Sequence, residues 1–217
     1  MGIWKPQGKI DYEKPVITAD VNSVYTKDWQ NLPDELGRLP SFEFVYFYKA
    51  QVEMCVTPKF EDEVLQGKSL EEHGPRVYRR VKKSQLFKLR PSDYILGNMD
   101  DKTASELWTD IRDTMWPSVS DANLTTNQIN DVDQIFYHTT ASGFLSNAAF
   151  ITFDGGILNR ASDLFNRFGI KVLTANEAWE EYSPKYGLYE PNQDDLDYLA
   201  RDYTKFYQKL KMDSGAE

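Results

Sequence analysis

The sequence predicts an α/β fold in which three layers, α/β/α, surround a central and mostly parallel sheet. Short apolar runs of strand length recur along the chain, at 15–19, 52–56, 149–153 and 170–173. Runs with helical spacing of apolar residues separate them, and this alternation favours a parallel sheet covered on both faces. The length of 217 residues, with 41% hydrophobic and 27% charged residues, is typical of one globular domain.

In the N-terminal half, the first strand ends at Asp20, and a helix is expected to follow over 21–32. The aromatic run at 42–48 is predicted as a helix that packs in the core. Behind the second strand, Pro58 at a first helical position and Gly67 after the last one delimit a short helix.

Residues 68–124 do not follow the simple alternation, and we interpret them as an insertion. Within this insertion, a helix capped by Asp101 or Thr103 is expected to stop before Pro117. Residues 118–128 are predicted as a polar loop that leads into the next helix.

After the third strand, apolar residues at helical spacing predict one helix over 157–168, which Gly169 ends. The fourth strand follows, and Asn176 is then expected to cap a helix over 177–182. The charged, amphipathic tail at 190–217 is predicted as a C-terminal helical extension.

Composition narrows the class of protein. No apolar run approaches the about 18–20 residues that a membrane-spanning helix needs, so we expect no membrane association and a cytoplasmic location. Cys55 is the single cysteine and lies among apolar residues, which predicts a buried thiol and no internal disulfide. Two histidines and one cysteine also argue against a zinc site of the usual His/Cys type.

The charge is unevenly distributed. The net charge is −9, but residues 75–91 carry seven basic side chains and no acid, so the rest of the chain carries −16. Basic residues beside Tyr78 and Phe87 could hold a phosphate backbone and stack a base, or the segment could be a solvated ribbon or dock on the chain's own acids. The candidate RNA-binding residues are Arg76, Arg79, Arg80, Lys82 and Lys83.

Carboxylates stand at the carboxyl ends of predicted strands or on neighbouring helices, where open α/β folds place their sites. Oxygen ligands of this type suit Mg²⁺ or Mn²⁺. Each acid alone could instead be a helix cap, an exposed first-turn residue or a turn residue. The acids are Asp20, Glu61, Asp62, Glu63, Asp131, Asp133 and Asp154.

Two of these acids, Asp131 and Asp133, lie near the start of one predicted helix, which Asn130 or Asp131 is expected to cap. Residues two apart point about 200° away from each other on a helix, so only one of them is expected to bind a metal directly. Asp131 shares its face with Ile135 and His138 and is slightly favoured, and His138 itself is interpreted as a packed histidine.

Several of these motifs resemble the PIN domain, a family of metal-dependent nucleases. The resemblance covers roughly 15–66 and 125–182. It is carried by DVN at 20–22, VTPKFEDEV at 56–64, NDVD at 130–133, FITFD at 150–154, GIKVLT at 169–174 and the pair Asn176-Glu177.

The resemblance implies one PIN-like domain over 1–217 that hydrolyses RNA phosphodiesters with Mg²⁺ or Mn²⁺, with DNA as another possible substrate. Such domains act as toxins paired with an antitoxin or in RNA processing, and they often dimerise; a basic protein partner would suit the acidic surface. The implied catalytic residues are Asp20, Glu63, Asp131, Asp133 and Asp154, and the implied metal ligands are Asp20, Glu63, Asp131 and Asp154.

Two alternatives remain at this point. The first is a PIN-like scaffold that binds RNA or a protein without holding metal. The second is a phosphotransfer enzyme with Asp20 as nucleophile, which would want a second Asp where Asn22 stands.

Overall fold

A computed structural model of the chain describes residues 10–26, 39–40, 52–65, 87–88, 99–143 and 145–186, and the description below concerns these residues. Its strands are β1 (Val16–Ala19), β2 (Tyr25–Thr26), β3 (Leu39–Pro40), β4 (Glu53–Val56), β5 (Phe87–Lys88), β6 (Ala148–Ile151) and β7 (Val172–Leu173). Its α-helices are α1 (Val21–Val24), α2 (Pro58–Leu65), α3 (Asp101–Met115), α4 (Thr126–His138), α5 (Gly155–Leu158), α6 (Ala161–Phe168) and α7 (Ala175–Tyr186).

Five strands form one parallel sheet in the order β5-β4-β1-β6-β7. At its centre, Ile17 of β1 stands opposite Met54 of β4 and Ala149 of β6. The central strands β4, β1 and β6 are buried along their whole length, as the continuous apolar runs predict. The prediction of an α/β fold with a parallel sheet is confirmed, and all four predicted strands lie in that sheet.

A separate two-stranded antiparallel ribbon, β2 with β3, is absent from the sequence prediction. It corrects the helix predicted over 21–32, which ends at Val24. Tyr25, an aromatic residue, and Thr26, a β-branched one, continue as strand instead.

Two predicted strands are too long. At the end of β6 the backbone N–H of Phe153 donates to the side chain of Asn22 rather than to a neighbouring strand. At the start of β7 the N–H of Ile170 closes the end of α6 by donating to Leu164 O, next to the left-handed Gly169 (φ 70°). That glycine ends the helix as predicted, because the left-handed conformation carries no Cβ penalty there.

The predicted caps of three helices are corrected by one or more residues. Helix α4 begins inside the predicted polar loop, where Thr125 and Gln128 form a reciprocal capping box, so Asp131 lies in the helix interior. Asp100 caps α3 by accepting a hydrogen bond from the N–H of Thr103 at 2.8 Å.

The cap of α7 is Thr174 rather than Asn176. The hydroxyl of Thr174 accepts from the N–H of Glu177, whose carboxylate accepts from the N–H of Thr174. The helix predicted over 157–168 is divided into α5 and α6, with Arg160 at the junction in a non-helical conformation. Pattern alone did not reveal this break because the apolar spacing continues across it.

The main core lies between α3, α4, α6 and the β6–β7 side of the sheet. Helix α3 contributes Ile111 and Met115 although it belongs to the segment interpreted as an insertion, so this helix is part of the core. The fully buried members of the cluster are Ile111, Met115, Val132, Ile135, Phe150, Ile157, Leu164 and Ile170. A smaller cluster contains Cys55, which is fully buried as predicted, and burial raises the pKa of its thiol.

Three predictions lie outside the described residues. These are the aromatic helix at 42–48, the basic run at 75–91 apart from β5, and the tail at 190–217. Within the described ranges, no helix combines the length and the apolar character needed to cross a bilayer.

Candidate functional site

The carboxyl ends of β1 and β6 bring two of the predicted acids to one edge of the sheet. Asp20 follows β1 directly, and its backbone N–H continues the ladder by donating to Ile151 O at 2.9 Å. Asp154 stands three residues after β6. Because β1 and β6 are parallel neighbours, both acids lie at the same edge.

Asp20 is buried and fully engaged by hydrogen bonds. One carboxylate oxygen, Oδ2, accepts from the Thr152 hydroxyl at 2.6 Å. The other, Oδ1, accepts from the Val21 N–H at 2.6 Å and from Gln134 Nε2 at 3.1 Å. Burial raises the pKa of Asp20 even though these donors act against the shift. A buried carboxylate with so many donors is held in one position.

The residues next to Asp20 and Asp154 are tied to one another. The amide oxygen of Asn22 accepts from the N–H of Phe153 at 2.9 Å, and the hydroxyl of Thr152 accepts from the N–H of Asp154 at 2.9 Å. The buried Thr152 therefore receives the Asp154 backbone while donating to Asp20. It thus links the two acidic segments by hydrogen bonds.

Asp154 also has a structural role, because it caps helix α5. Its Oδ1 accepts from the N–H groups of Gly156 at 2.6 Å and Ile157 at 3.2 Å. A Cβ on Gly156 would stand 2.9 Å from that oxygen and 3.1 Å from the ring of Trp116. A Cβ at position 156 would therefore force the Asp154 carboxylate or the Trp116 ring to shift.

The third acid comes from the middle of α4. Asp131 is half-buried, and burial, followed by the charges on Asp154, Asp20 and Glu63, raises its pKa to about 7. Burial and nearby negative charges both disfavour the ionised form of a carboxyl group, so its proton is held to a higher pH. Asp131 therefore belongs to one electrostatic group with the other three acids.

Asp133, which the resemblance also implied as catalytic, faces a different environment. Its Oδ2 pairs with Lys59 Nζ at 3.0 Å, and its Oδ1 accepts from Trp108 Nε1 at 2.8 Å. Both oxygens hold α4 to α2 and α3. Of the two alternatives that the sequence left open, the structure brings Asp131 to the other acids.

Gln134, one turn along α4 from Asp131, was not recognised from the sequence. It is buried, and its Nε2 donates to Asp20 Oδ1 and to Glu63 Oε2, at 3.1 and 3.2 Å. Glu63 comes from α2 and is an exposed residue, and this bond joins its carboxylate to the buried Gln134 side chain. Its position three residues after Asp131, and so on the same face of the helix, was the signal in the sequence.

The four acids have the right chemistry for a metal ion, but their side chains are not arranged as a closed metal site. Carboxylate oxygens are the ligands that Mg²⁺ and Mn²⁺ prefer, so the chemistry of the four acids fits these ions. In the part of the chain that is described, however, no three acidic, histidine or cysteine side chains stand close enough to hold one ion together. The amide of Gln134 lies between two of the carboxylates instead.

The remaining candidates lie apart from this acidic cluster, by which we mean Asp20, Glu63, Asp131 and Asp154. His138 is fully buried against Phe150, and burial lowers its pKa to about 3. Its Nδ1 lies 2.8 Å from the Thr18 hydroxyl, so it is the packed histidine that the sequence predicts. The candidate RNA-binding residues, Arg76, Arg79, Arg80, Lys82 and Lys83, lie outside the described residues.

Comparisons with protein-family models, with curated proteins and with solved structures found no match.

Proposed function

We propose that this protein is a Mg²⁺- or Mn²⁺-dependent endoribonuclease with a PIN-like three-layer α/β/α architecture. The observation that supports this most directly is the electrostatic coupling of Asp131 to Asp154, Asp20 and Glu63. Asp20 and Asp154 follow two neighbouring parallel strands at the edge where α/β sheets place their sites, and the charges of both, with that of Glu63, act on Asp131. Mutual repulsion of this kind costs stability unless a cation offsets it, and proteins concentrate such arrangements at functional sites.

The residues divide into two groups by role. Asp20, Glu63, Asp131 and Asp154 would hold the cation, with Thr152 and Asn22 fixing the two acidic loops relative to each other. Asp131 would release its proton as the cation enters, since a ligating carboxylate must be ionised. Asp133 would act only through the placement of α4.

The bound ion would supply charge stabilisation and activation of water for attack on phosphorus. RNA is the proposed substrate on the basis of the family resemblance, and the basic run at 75–91 is the proposed contact for its backbone. A basic partner protein, such as an antitoxin, would complement the net charge of −9. The proposal places the protein in the cytoplasm, where the single thiol of Cys55 stays reduced.

A second candidate function is a non-catalytic scaffold that binds RNA or a protein. The observation in its favour is the placement of the Gln134 amide between Asp20 and Glu63, which satisfies both carboxylates without a cation. A scaffold of this kind would gain nothing from Mn²⁺ in thermal unfolding.

The test is cleavage of labelled RNA and DNA strands with Mn²⁺ or with EDTA, combined with thermal unfolding in the same buffers. Wild type is compared with Asp20→Asn and Asp154→Asn, and Asp133→Asn serves as the matched control on the same helix as Asp131. The proposal expects Mn²⁺-dependent cutting of RNA that is lost in the first two variants and retained in the third. If wild type neither cuts nor gains thermal stability from Mn²⁺, the scaffold is the correct function.

A further inference from the structure

Phe153 presents an aromatic side chain to solvent at the carboxyl edge of the sheet. It is 44% exposed, although both of its neighbours in the chain are engaged, since Thr152 is buried and Asp154 caps α5. Its backbone N–H donates to Asn22 Oδ1 at 2.9 Å and so ties the end of β6 to α1. Because the backbone is held at Phe153 and on both sides of it, the phenyl ring is presented from a fixed position.

The amide of Asn22 has a determined orientation. A backbone N–H can only donate, so the end of the amide that receives the N–H of Phe153 is the oxygen. The nitrogen Nδ2 is then at the other end, and it has no hydrogen-bond partner among the described residues. Asn22 is only half-buried and its nitrogen is not enclosed, so two N–H donors are open to solvent beside Phe153.

The chemistry of this pair favours a neutral, flat ligand. The pair offers an aromatic face and two uncharged donors, and Asp20 and Asp154 lie next to it in the chain, so a bare phosphate would meet negative charge there. A nucleobase suits the pair better, because its faces stack on aromatic rings and its edges carry nitrogen and oxygen acceptors.

We propose that Phe153 and Asn22 form a base-binding subsite at the carboxyl edge of the sheet, in which the phenyl ring stacks on one unpaired base of an RNA strand and Asn22 Nδ2 donates to an acceptor atom of that nucleotide. Stacking of this kind needs a base that is free of its own stack, so single strands are bound in preference to duplexes. The inference rests on RNA as the ligand in the proposed function, but it requires neither a cation nor cleavage.

The test measures RNA binding by the full chain in EDTA. Fluorescence anisotropy gives the Kd for a labelled single-stranded RNA of mixed sequence, for an abasic strand of the same length and for the RNA duplex. Phe153→Leu keeps an apolar side chain and removes the aromatic face, whereas Phe153→Trp enlarges that face. Phe165→Leu is the matched control, because Phe165 is also an exposed phenylalanine, 53% exposed, but lies on α6. The melting temperature of each variant shows whether the fold is retained.

We expect wild type to bind the single strand more tightly than the duplex or the abasic strand. Phe153→Leu should bind the single strand about fivefold or more weakly, as expected for the loss of one stacked base, and Phe153→Trp should bind it at least as tightly as wild type. Phe165→Leu should leave the Kd unchanged. The side-chain ¹⁵N–¹H₂ signals of Asn22 should shift when the single strand is added and stay in place with the abasic strand.

Wild-type affinity in Phe153→Leu would overturn the inference, and so would equal binding of the abasic strand. Unchanged Asn22 signals beside a weakened Phe153→Leu variant would overturn the role of the amide. If wild type binds no RNA, the inference is wrong and the exposed ring is left as a contact for a protein.

Cleavage separates this inference from the proposed nuclease. If wild type cuts RNA with Mn²⁺ and Asp20→Asn does not, while Phe153→Leu binds RNA as wild type does, the nuclease stands and the inference alone fails. If Phe153→Leu loses affinity as expected but wild type does not cut with Mn²⁺, the base-binding subsite stands and the scaffold is the correct function.

Discussion

Lys59 Nζ lies 3.0 Å from Asp133 Oδ2, and this ion pair joins α2 to α4 on the side of α4 that does not face Asp20. The other oxygen of Asp133 accepts from Trp108 Nε1, so the carboxylate is fully used by packing. Asp131, two residues earlier, shares its electrostatics with the acidic cluster instead. Two acids that look equivalent in the sequence therefore have different surroundings in the fold.

The first prediction compares Asp131→Asn with Asp133→Asn. The first variant should lose most of the thermal stabilisation that Mn²⁺ gives to wild type, because it removes a candidate ligand. The second should keep that stabilisation but unfold with about 1 kcal/mol less free energy in EDTA, since it weakens a partly buried ion pair. Thermal unfolding with and without Mn²⁺ measures both effects. Equal loss of the Mn²⁺ effect in the two variants would contradict the assignment.

The second prediction concerns pH. Because folding raises the pKa of the Asp131 carboxyl from its ordinary value of 3.8 to about 7, the folded protein holds a proton there that the unfolded chain releases. The stability contributed by this group is complete below pH 3.8 and is lost as pH rises through 7. In EDTA, Asp131→Asn should therefore match wild type near pH 4 and exceed it by about 2 kcal/mol at pH 8, a value reduced for partial exposure.

Chemical denaturation of both proteins at several pH values checks this expectation. The gap between wild type and Asp131→Asn should open between pH 4 and pH 8, and saturating Mn²⁺ should close or reverse it. A gap that is constant over this range would mean that the charges on Asp154, Asp20 and Glu63 do not act on Asp131.

The third prediction concerns the buried hydroxyl of Thr152, which donates to Asp20 Oδ2 at 2.6 Å and accepts from the N–H of Asp154. Thr152→Val removes both bonds at nearly constant volume and should cost about 2–3 kcal/mol, because a hydrogen bond to a charged group is lost in a buried site. It should also weaken Mn²⁺ binding. Thr152→Ser keeps the hydroxyl and should retain the Mn²⁺ affinity of wild type while losing only the packing of one methyl group.

Urea denaturation and Mn²⁺ titration of the two Thr152 variants provide the measurements. If Thr152→Ser loses as much Mn²⁺ affinity as Thr152→Val, the methyl group rather than the hydroxyl positions Asp20.

The fourth prediction uses the adjacent glycines after Asp154. A Cβ at position 156 would come within 2.9 Å of Asp154 Oδ1 and 3.1 Å of Trp116, whereas a Cβ at position 155 meets nothing within 4 Å. Gly156→Ala should therefore lose about 1–3 kcal/mol of stability and move Asp154 out of place, which lowers Mn²⁺ affinity. Gly155→Ala should be neutral or stabilise the protein by up to about 1 kcal/mol, as Ala is the better helix residue.

The Gly155→Ala variant is thus the matched control for the Gly156→Ala variant, and tryptophan fluorescence reports on Trp116 directly. An equal and small effect of the two substitutions would show that the loop relaxes at no cost around a Cβ at position 156.

Much of the fold follows from local pattern. The continuous apolar runs predicted the four strands of the parallel sheet, because strands buried on both faces carry apolar residues without alternation. The same runs placed Asp20 and Asp154 at the carboxyl edge, and Gly169 ended its helix as expected. The errors occurred at element ends, where side chains such as Thr125 and Asp100 decide the boundary through individual hydrogen bonds.

The sequence by itself determined the fold class, the strands and the set of acids from which a site could be built. Only the tertiary structure decided which acid of α4 joins the cluster, and only it revealed that Gln134 links Asp20 to Glu63. These decisions depend on contacts between distant parts of the chain, such as the bond from Gln134 to Asp20 across 114 residues. Periodicity records which side of an element is buried, but it carries no information about which side chain from another element lies opposite.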